Sequence, residues 1–347
     1  MGGDRAPESI VEGALRAVRE LGVQVLLVGD QAVIEPLLDR MDGVPSGSVE
    51  IVHASEHIAM DEKSPSEAVR TRKDNSLSVA AHEVRKGNAA AMITAGHTGA
   101  AMTAATFGLG RIRGVARPAL LIPFPSLKGP TAWLDVGANA EVKPEHLLQF
   151  AVMGAAYAQH ILGRERPRVG LLTIGEERGK GNQLVQQTYP LLEASHLNFV
   201  GNIEGMDVPL GVVDVAVTDG FTGNLMLKMA EGIGELVRET LSEEARRDPL
   251  SSLGGLLMTP ALRRVRKRWD YRQFGGAMLL GTRGEVSIGH GRSDAQAVVS
   301  MIDVARRGAA HGLVDAITED IARTAETIAE VAAESAEGDA SEPAKGS

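Results

Sequence analysis

VGLLTIGEERGKGN, residues 169–182, opens with a continuous apolar run from Val169 to Ile174, the pattern of a strand buried on both faces. It breaks into Gly175-Glu176-Glu177-Arg178-Gly179-Lys180-Gly181-Asn182, and a helical pattern starts at Gln183. Strand, glycine-bearing turn and helix together offer backbone N–H groups and a positive helix end to an anion. Glycine lets the backbone approach a ligand closely, and Lys180 adds a point charge. The stretch reads as a phosphate site, against the alternative of an ordinary flexible turn between strand and helix. Two familiar phosphate motifs fail here. Ile174 and Gly181 stand where a P-loop needs glycine and serine or threonine, and Leu184 stands where a dinucleotide fingerprint needs glycine or alanine.

Working outward, the chain of 347 residues is long enough for a substantial core. It is 44% hydrophobic but only 3% aromatic, with 40 glycines, which favours aliphatic α/β packing. The absence of cysteine excludes disulfides, thiolate metal sites and a cysteine acyl-enzyme. A net charge of −9 argues against general nucleic-acid binding. No stretch approaches the ~20 apolar residues of a membrane span and no secretory leader pattern opens the chain, so the expectation is a cytoplasmic protein.

Strand and helix patterns alternate along the chain. Strands are expected near 23–28, 49–54, 89–95, 119–124, 131–136, 168–174, 199–203, 212–217, 278–280 and 286–288. The prolines at 123, 125 and 130 bound the fourth and fifth tightly, as in a hairpin. Helices are expected between them, including a long one with Met226, Met229, Ile233, Leu236 and Leu241 on one stripe, and one at 293–308 capped by Ser293. This alternation implies a three-layer α/β/α sandwich around a mostly parallel sheet. Residues 1–331 read as one catalytic domain with a basic excursion at 248–274, and 332–347 as a disordered tail. Five polar turns follow strands: Gly29-Asp30, Gly96–Gly99, Asp135–Lys143, Gly175–Asn182 and Asp219–Asn224. Ligands in such folds sit beyond strand carboxyl ends, so the five are expected to share one cleft.

Seven ordered segments carry a family resemblance: MGGDRAP, KSPSEAVRTRKDNS, ITAGHTGA, LDVGAN, IGEERGKGN, VTDGFTGN and FGGAMLLG. Across residues 1–312 the chain resembles the phosphate acyltransferase (PlsX) family, whose members move a fatty acyl group from acyl carrier protein to inorganic phosphate for phospholipid synthesis. The resemblance implies a fold similar to phosphotransacetylases and isocitrate dehydrogenases, a homodimer, no cofactor, and Lys180 and Asn224 as catalytic residues. It also implies substrate-side roles for Asp4, Gly96, His97, Thr98, Gly99, Asp135, Asn139, Gly179, Gly181, Asn182, Asp219, Thr222 and Gly223. Two departures stand out. Members carry a short strand before MGGD, so an edge strand is expected to be absent or to lie upstream of Met1; and His97 stands where many have asparagine, another hydrogen-bond donor.

Phosphate is already nucleophilic at neutral pH, so the chemistry needs positioning and charge stabilisation more than a base. Lys180 suits the phosphate or developing oxyanion and Asn224 the carbonyl oxygen, the plain alternative for Asn224 being a helix N-cap. Thr98 has the same alternative, against a second anion-binding helix end. Asp135, Asn139 and Lys143 read as ordering the cleft. His53 and His57 are four apart but do not make a metal-binding HExxH pattern, and no metal site is expected. In LSSLGGLLMTPALRRVRKRWDYR, residues 250–272, apolar Leu256 and Leu257 precede Arg263, Arg264, Arg266, Lys267, Arg268 and Trp269. A solvated basic face is the plain reading; an anionic membrane surface, to which the family is held peripherally, or an acidic carrier protein are the functional ones. Rival functions are a phosphotransacetylase-like enzyme using acyl-CoA and a non-catalytic membrane adaptor for acyl carrier protein.

Overall fold

The computed structural model describes residues 1–41, 47–269 and 275–325, with side chains at 266–269 outside the description. In chain order the elements are α1 (Glu8–Leu21), β1 (Val25–Gly29), α2 (Gln31–Leu38), β2 (Val49–His53), α3 (Pro65–Thr71), α4 (Ser76–Lys86), β3 (Ala91–Thr94), α5 (Thr98–Gly108), β4 (Ala119–Phe124) and β5 (Thr131–Leu134). There follow α6 (Pro144–His160), β6 (Arg168–Leu172), α7 (Gln183–Ala194), β7 (Asn198–Ile203), α8 (Asp207–Leu210), β8 (Val215–Val217), α9 (Gly220–Ala245), α10 (Pro249–Trp269), β9 (Ala277–Leu280), β10 (Glu285–Ile288) and α11 (Ala295–Ala310). All ten expected strands are present, and α3 and α8 are additional short helices.

Eight strands form one sheet in the order β3-β10-β9-β4-β5-β8-β6-β7, while β1 and β2 pair separately in parallel. The expected β4–β5 hairpin is antiparallel, with Leu121 opposite Leu134, although Pro123 lies inside β4 rather than at its edge. The sheet contains two parallel blocks. One is β5-β8-β6-β7 and the other β3-β10, and antiparallel β9 and β4 join them. Three reversals separate β3 from β5, so the two blocks run in opposite directions.

Side chains alternate between the sheet faces, as the two-residue strand period requires. Leu134, Val215, Val217 and Leu171 pack on α6, a helix apolar enough to be buried nearly all round. Trp133, Ala216, Leu172 and Leu279 face the other way, in one cluster with residues of α4, α5, α8 and the start of α9. Removing a core leucine of this kind typically costs about 2–5 kcal/mol.

Two local expectations are corrected. Asp294, not Ser293, caps α11, accepting a 3.0 Å hydrogen bond from Ala297 N. Both residues are good caps; Asp294 has the extended backbone a cap needs. The apolar stripe of α9 reaches the core only at its start, where partly buried Met226 packs against the second core cluster; Met229, Ile233, Leu236 and Leu241 are exposed, and only Gly220 and Gly223 of this helix are buried. α10 folds back on α9, with Ser252 Oγ donating to Ala245 O at 3.0 Å, and the pair forms a helical hairpin. The expected tail, 332–347, lies outside the described residues.

Candidate active site

Because β5, β8 and β6 are adjacent and parallel, the turns after them leave the same sheet edge side by side. The first is built on Asp135, which is fully buried. Its Oδ1 accepts from Leu120 N, Gly137 N and Ala138 N at 3.1, 3.1 and 2.9 Å. Its Oδ2 accepts from Asn139 N and Nδ2, both at 2.8 Å. Burial pushes the carboxyl pKa upward, and the backbone and Asn139 donors oppose that by favouring the charged form. Asn139 Nδ2 also reaches Pro118 O, and Asn139 O accepts from Gly220 N at 2.8 Å.

That last bond ties the turn to the start of α9. A Cβ at Gly220 would come within 2.6 Å of Asn139 O, and one at Gly223 would collide with Asp135 O. Both positions therefore require glycine for close approach. Asp219 is the N-cap, its Oδ1 accepting from Thr222 N and its Oδ2 from Thr222 Oγ1, each at 2.8 Å. Asn224 is thus not the cap. It sits one turn in, exposed, with Gly137 beside its Cβ and Cγ, and its amide makes no hydrogen bond among the described residues.

The Gly175–Asn182 turn is held more lightly. Asn182 caps α7, accepting from Val185 N at 3.0 Å, and Gln186 Nε2 donates to Gly179 O and Gly181 O. Gly181 has φ +96° and lies so close to Thr173 Oγ1 and Val185 that a side chain would clash. Arg178 is engaged with Glu193 at 2.6 Å and with the Tyr189 ring, whereas the Lys180 ammonium is exposed and makes no ion pair among the described residues.

Gly96–Gly99 follows β3, whose direction is reversed relative to β5, so that turn leaves the opposite sheet edge. Gly29-Asp30 belongs to the separate two-stranded sheet. The five turns expected to share one cleft therefore do not all leave one sheet edge: three do, the antiparallel strands in mid-sheet send the Gly96 turn to the other, and Gly29-Asp30 leaves a different sheet. The Gly96 turn joins the N-terminus instead. Asp4 N donates to Gly291 O at 2.9 Å, and Gly3 packs against Ala95 O. His97, not Thr98, holds the N-cap position of α5, and its side chain makes no cap bond. α9 bridges the two edges electrostatically. Desolvation, Arg292 and Lys228 lower the His290 pKa, and Glu231 and Asp4 oppose them. Lys228 is one helical turn beyond Asn224.

Of the basic segment, Leu256, Leu257, Arg263 and Arg264 lie exposed on α10. Arg266, Lys267, Arg268 and Trp269 have side chains outside the described residues. Among the described residues no acidic or histidine cluster suits a metal, and no helix is long and apolar enough to cross a membrane. Sequence reasoning missed Asn202, which lies inside β7, and His290, although the latter sits in a glycine-bearing turn, Gly289-His290-Gly291, directly after β10.

Residues 1–315 match the family model described as fatty acid synthesis protein. The chain belongs to that family. A phosphate acyltransferase of Heliobacterium modesticaldum is 47% identical over 94% of this chain and 98% of its own length. That of Aquifex aeolicus is 47% identical over 88% and 90%. Membership makes this family member an acyltransferase, as the sequence resemblance implied. In fold it is similar to a phosphotransacetylase from Streptococcus pyogenes, with TM-score 0.62 and 16% identity over 88% of this chain and 92% of that one. A branched-chain phosphotransacylase from Enterococcus faecalis V583 gives 0.54 and 14% over 89% and 97%.

Proposed function

We propose that this acyltransferase moves a long-chain acyl group from acyl carrier protein to inorganic phosphate, giving acyl phosphate for phospholipid synthesis. The observation that carries the reading is the placement, on one sheet edge, of Lys180 in a glycine turn and the Asn224 amide on a locked helix start, both without a side-chain partner among the described residues. A phosphate oxygen attacks the thioester carbonyl, with Lys180 and the N–H groups of Gly179–Asn182 holding phosphate and Asn224 donating to the developing oxyanion. The tetrahedral intermediate collapses with loss of the C–S bond, and the proton of hydrogen phosphate passes to the departing thiolate. Asp135, Asn139, Asp219, Thr222 and Gly223 fix Asn224 rather than touch substrate. Asp4, Gly96, His97, Thr98 and Gly99 serve the substrate side from across α9. The reaction needs no cofactor or metal in this reading.

The test is acyl-phosphate formation from long-chain acyl carrier protein thioesters and phosphate, run beside CoA thioesters. Turnover only with CoA thioesters moves the assignment to a phosphotransacetylase-like enzyme, and no turnover with either leaves the adaptor reading.

The same proposal places the protein at the inner face of the cell membrane, held reversibly through 250–272, and pairs it as a homodimer. The exposed leucines of α10 beside a basic run support the membrane placement, and the family resemblance supports the homodimer. Each basic residue near an anionic bilayer contributes about 1 kcal/mol, so removing three weakens partitioning roughly 10²-fold. Leu256→Glu with Leu257→Glu is expected to abolish vesicle flotation even at low salt while soluble turnover persists. Loss of both would reassign the segment to carrier-protein docking.

A further inference from the structure

Asn202 lies on β7, is 6% exposed, and is joined to the Lys180 turn by one bond: its Nδ2 donates to Glu177 O at 2.8 Å. The same carbonyl accepts from Lys180 N at 2.9 Å. A carbonyl has two lone pairs, and here both are used, one by the backbone of Lys180 and one by Asn202. The amide orientation is fixed by chemistry, since turning it over would set its oxygen against another oxygen. Its Oδ1 then has no partner among the described residues, although it is buried. A buried polar side chain left half satisfied is costly, so its retained bond to Glu177 O is the one it is placed to make.

The strand is distorted in a way that produces this placement. β7 pairs Val169 with Phe199 but Gly170 with Gly201, so Val200 is an extra residue. In a regular strand Phe199 and Ile203, four apart, would share a face. Here Phe199 packs on the α6 side and Ile203 on the other. The bulge makes the switch, and a one-residue slip of this kind reverses which side chains point inward. Asn202 is thereby turned toward α7 and the turn that precedes it.

We propose that Asn202 is a positioning residue for Lys180: it clamps Glu177 O and so fixes where the Lys180 backbone, and hence its ammonium, stands. This rests on the reading of Lys180 as the cation that meets phosphate or the oxyanion. A positioning residue acts through its client, so its removal changes nothing once the client is gone.

Four proteins decide it, assayed with a long-chain acyl carrier protein thioester and inorganic phosphate: wild type, Asn202→Leu, Lys180→Ala and the double variant. Asn202→Leu is expected to lower kcat ~10- to 100-fold, the scale of a small misplacement in an active site, with KM for the acyl donor unchanged. The double variant is expected to be no slower than Lys180→Ala. Losses that multiply in the double variant, or a lower melting temperature with full kcat in Asn202→Leu, overturn the proposal. Wild-type turnover in Lys180→Ala instead overturns the underlying assignment of Lys180, and this proposal with it. Asn202→Asp gives a second route should the leucine variant not fold. A buried carboxyl donates to Glu177 O only when protonated, so its kcat relative to wild type is expected to rise as pH falls from about 8 to about 6. A ratio that does not change with pH also overturns the proposal.

Discussion

Two turns on one sheet edge are built in opposite ways. The Asp135 turn is closed: a buried carboxylate gathers five N–H donors, and the start of α9 presses on it so tightly that two glycines are required. The Gly175–Asn182 turn is open: its residues from Glu176 to Lys180 are exposed, and few bonds hold it from below. In the proposed reaction the difference separates two tasks. The donor, Asn224, is mounted on the closed turn, and the cation, Lys180, is carried on the open one, where it makes no ion pair among the described residues.

That contrast breaks first at Asp135. Asp135→Asn is nearly isosteric but sets an amide N–H among five donors, so a loss of stability of about 3–5 kcal/mol is expected. Chemical denaturation checks it; a variant as stable as wild type would mean the charge is not what holds the turn. Next come Lys180→Ala and Asn224→Ala, each expected to lower kcat about 10²- to 10³-fold while the melting temperature stays within a few degrees. Lost rate with lost stability at Lys180 would erase the distinction between the turns. The smallest effect is expected at Arg178→Ala. Its pair with Glu193 is exposed, so stability should change by less than about 1 kcal/mol and rate by less than about threefold. A rate loss as large as that of Lys180→Ala would show that the turn's total charge matters rather than one placed ammonium.

Much of this was legible in the residues. Apolar runs such as VGLL and ALLI can be satisfied only by burial, and glycine-bearing polar segments after them had to be turns. The helix start in DGFTGN was less legible, because it holds two good caps, Asp219 and Asn224, five residues apart. Which one caps depends on Gly220 and Gly223 seating against the Asp135 turn, a contact some 85 residues away in sequence. Strand direction was hidden for the same reason. Nothing within β3 says that it runs against β5; that follows from β9 and β4 between them. Asn202 carried no signal, since its orientation is made by a bulge in a strand whose local pattern is unremarkable.

The parallel β3–β10 pair has a consequence for how the chain is made. β3 ends at Thr94 and its partner begins at Glu285, and α1 packs through Gly13 against Val298 of α11. The first third of the protein is therefore sealed by a segment synthesised almost last. During translation, β3 and the inner face of α1 wait uncovered while nearly two hundred further residues emerge, a long-range closure that is slow and exposed to misassociation. The β5-β8-β6-β7 block, complete by Val217, has no such wait. The half bearing Lys180 and Asp135 is thus ready on the ribosome well before the half bearing Asp4 and His97.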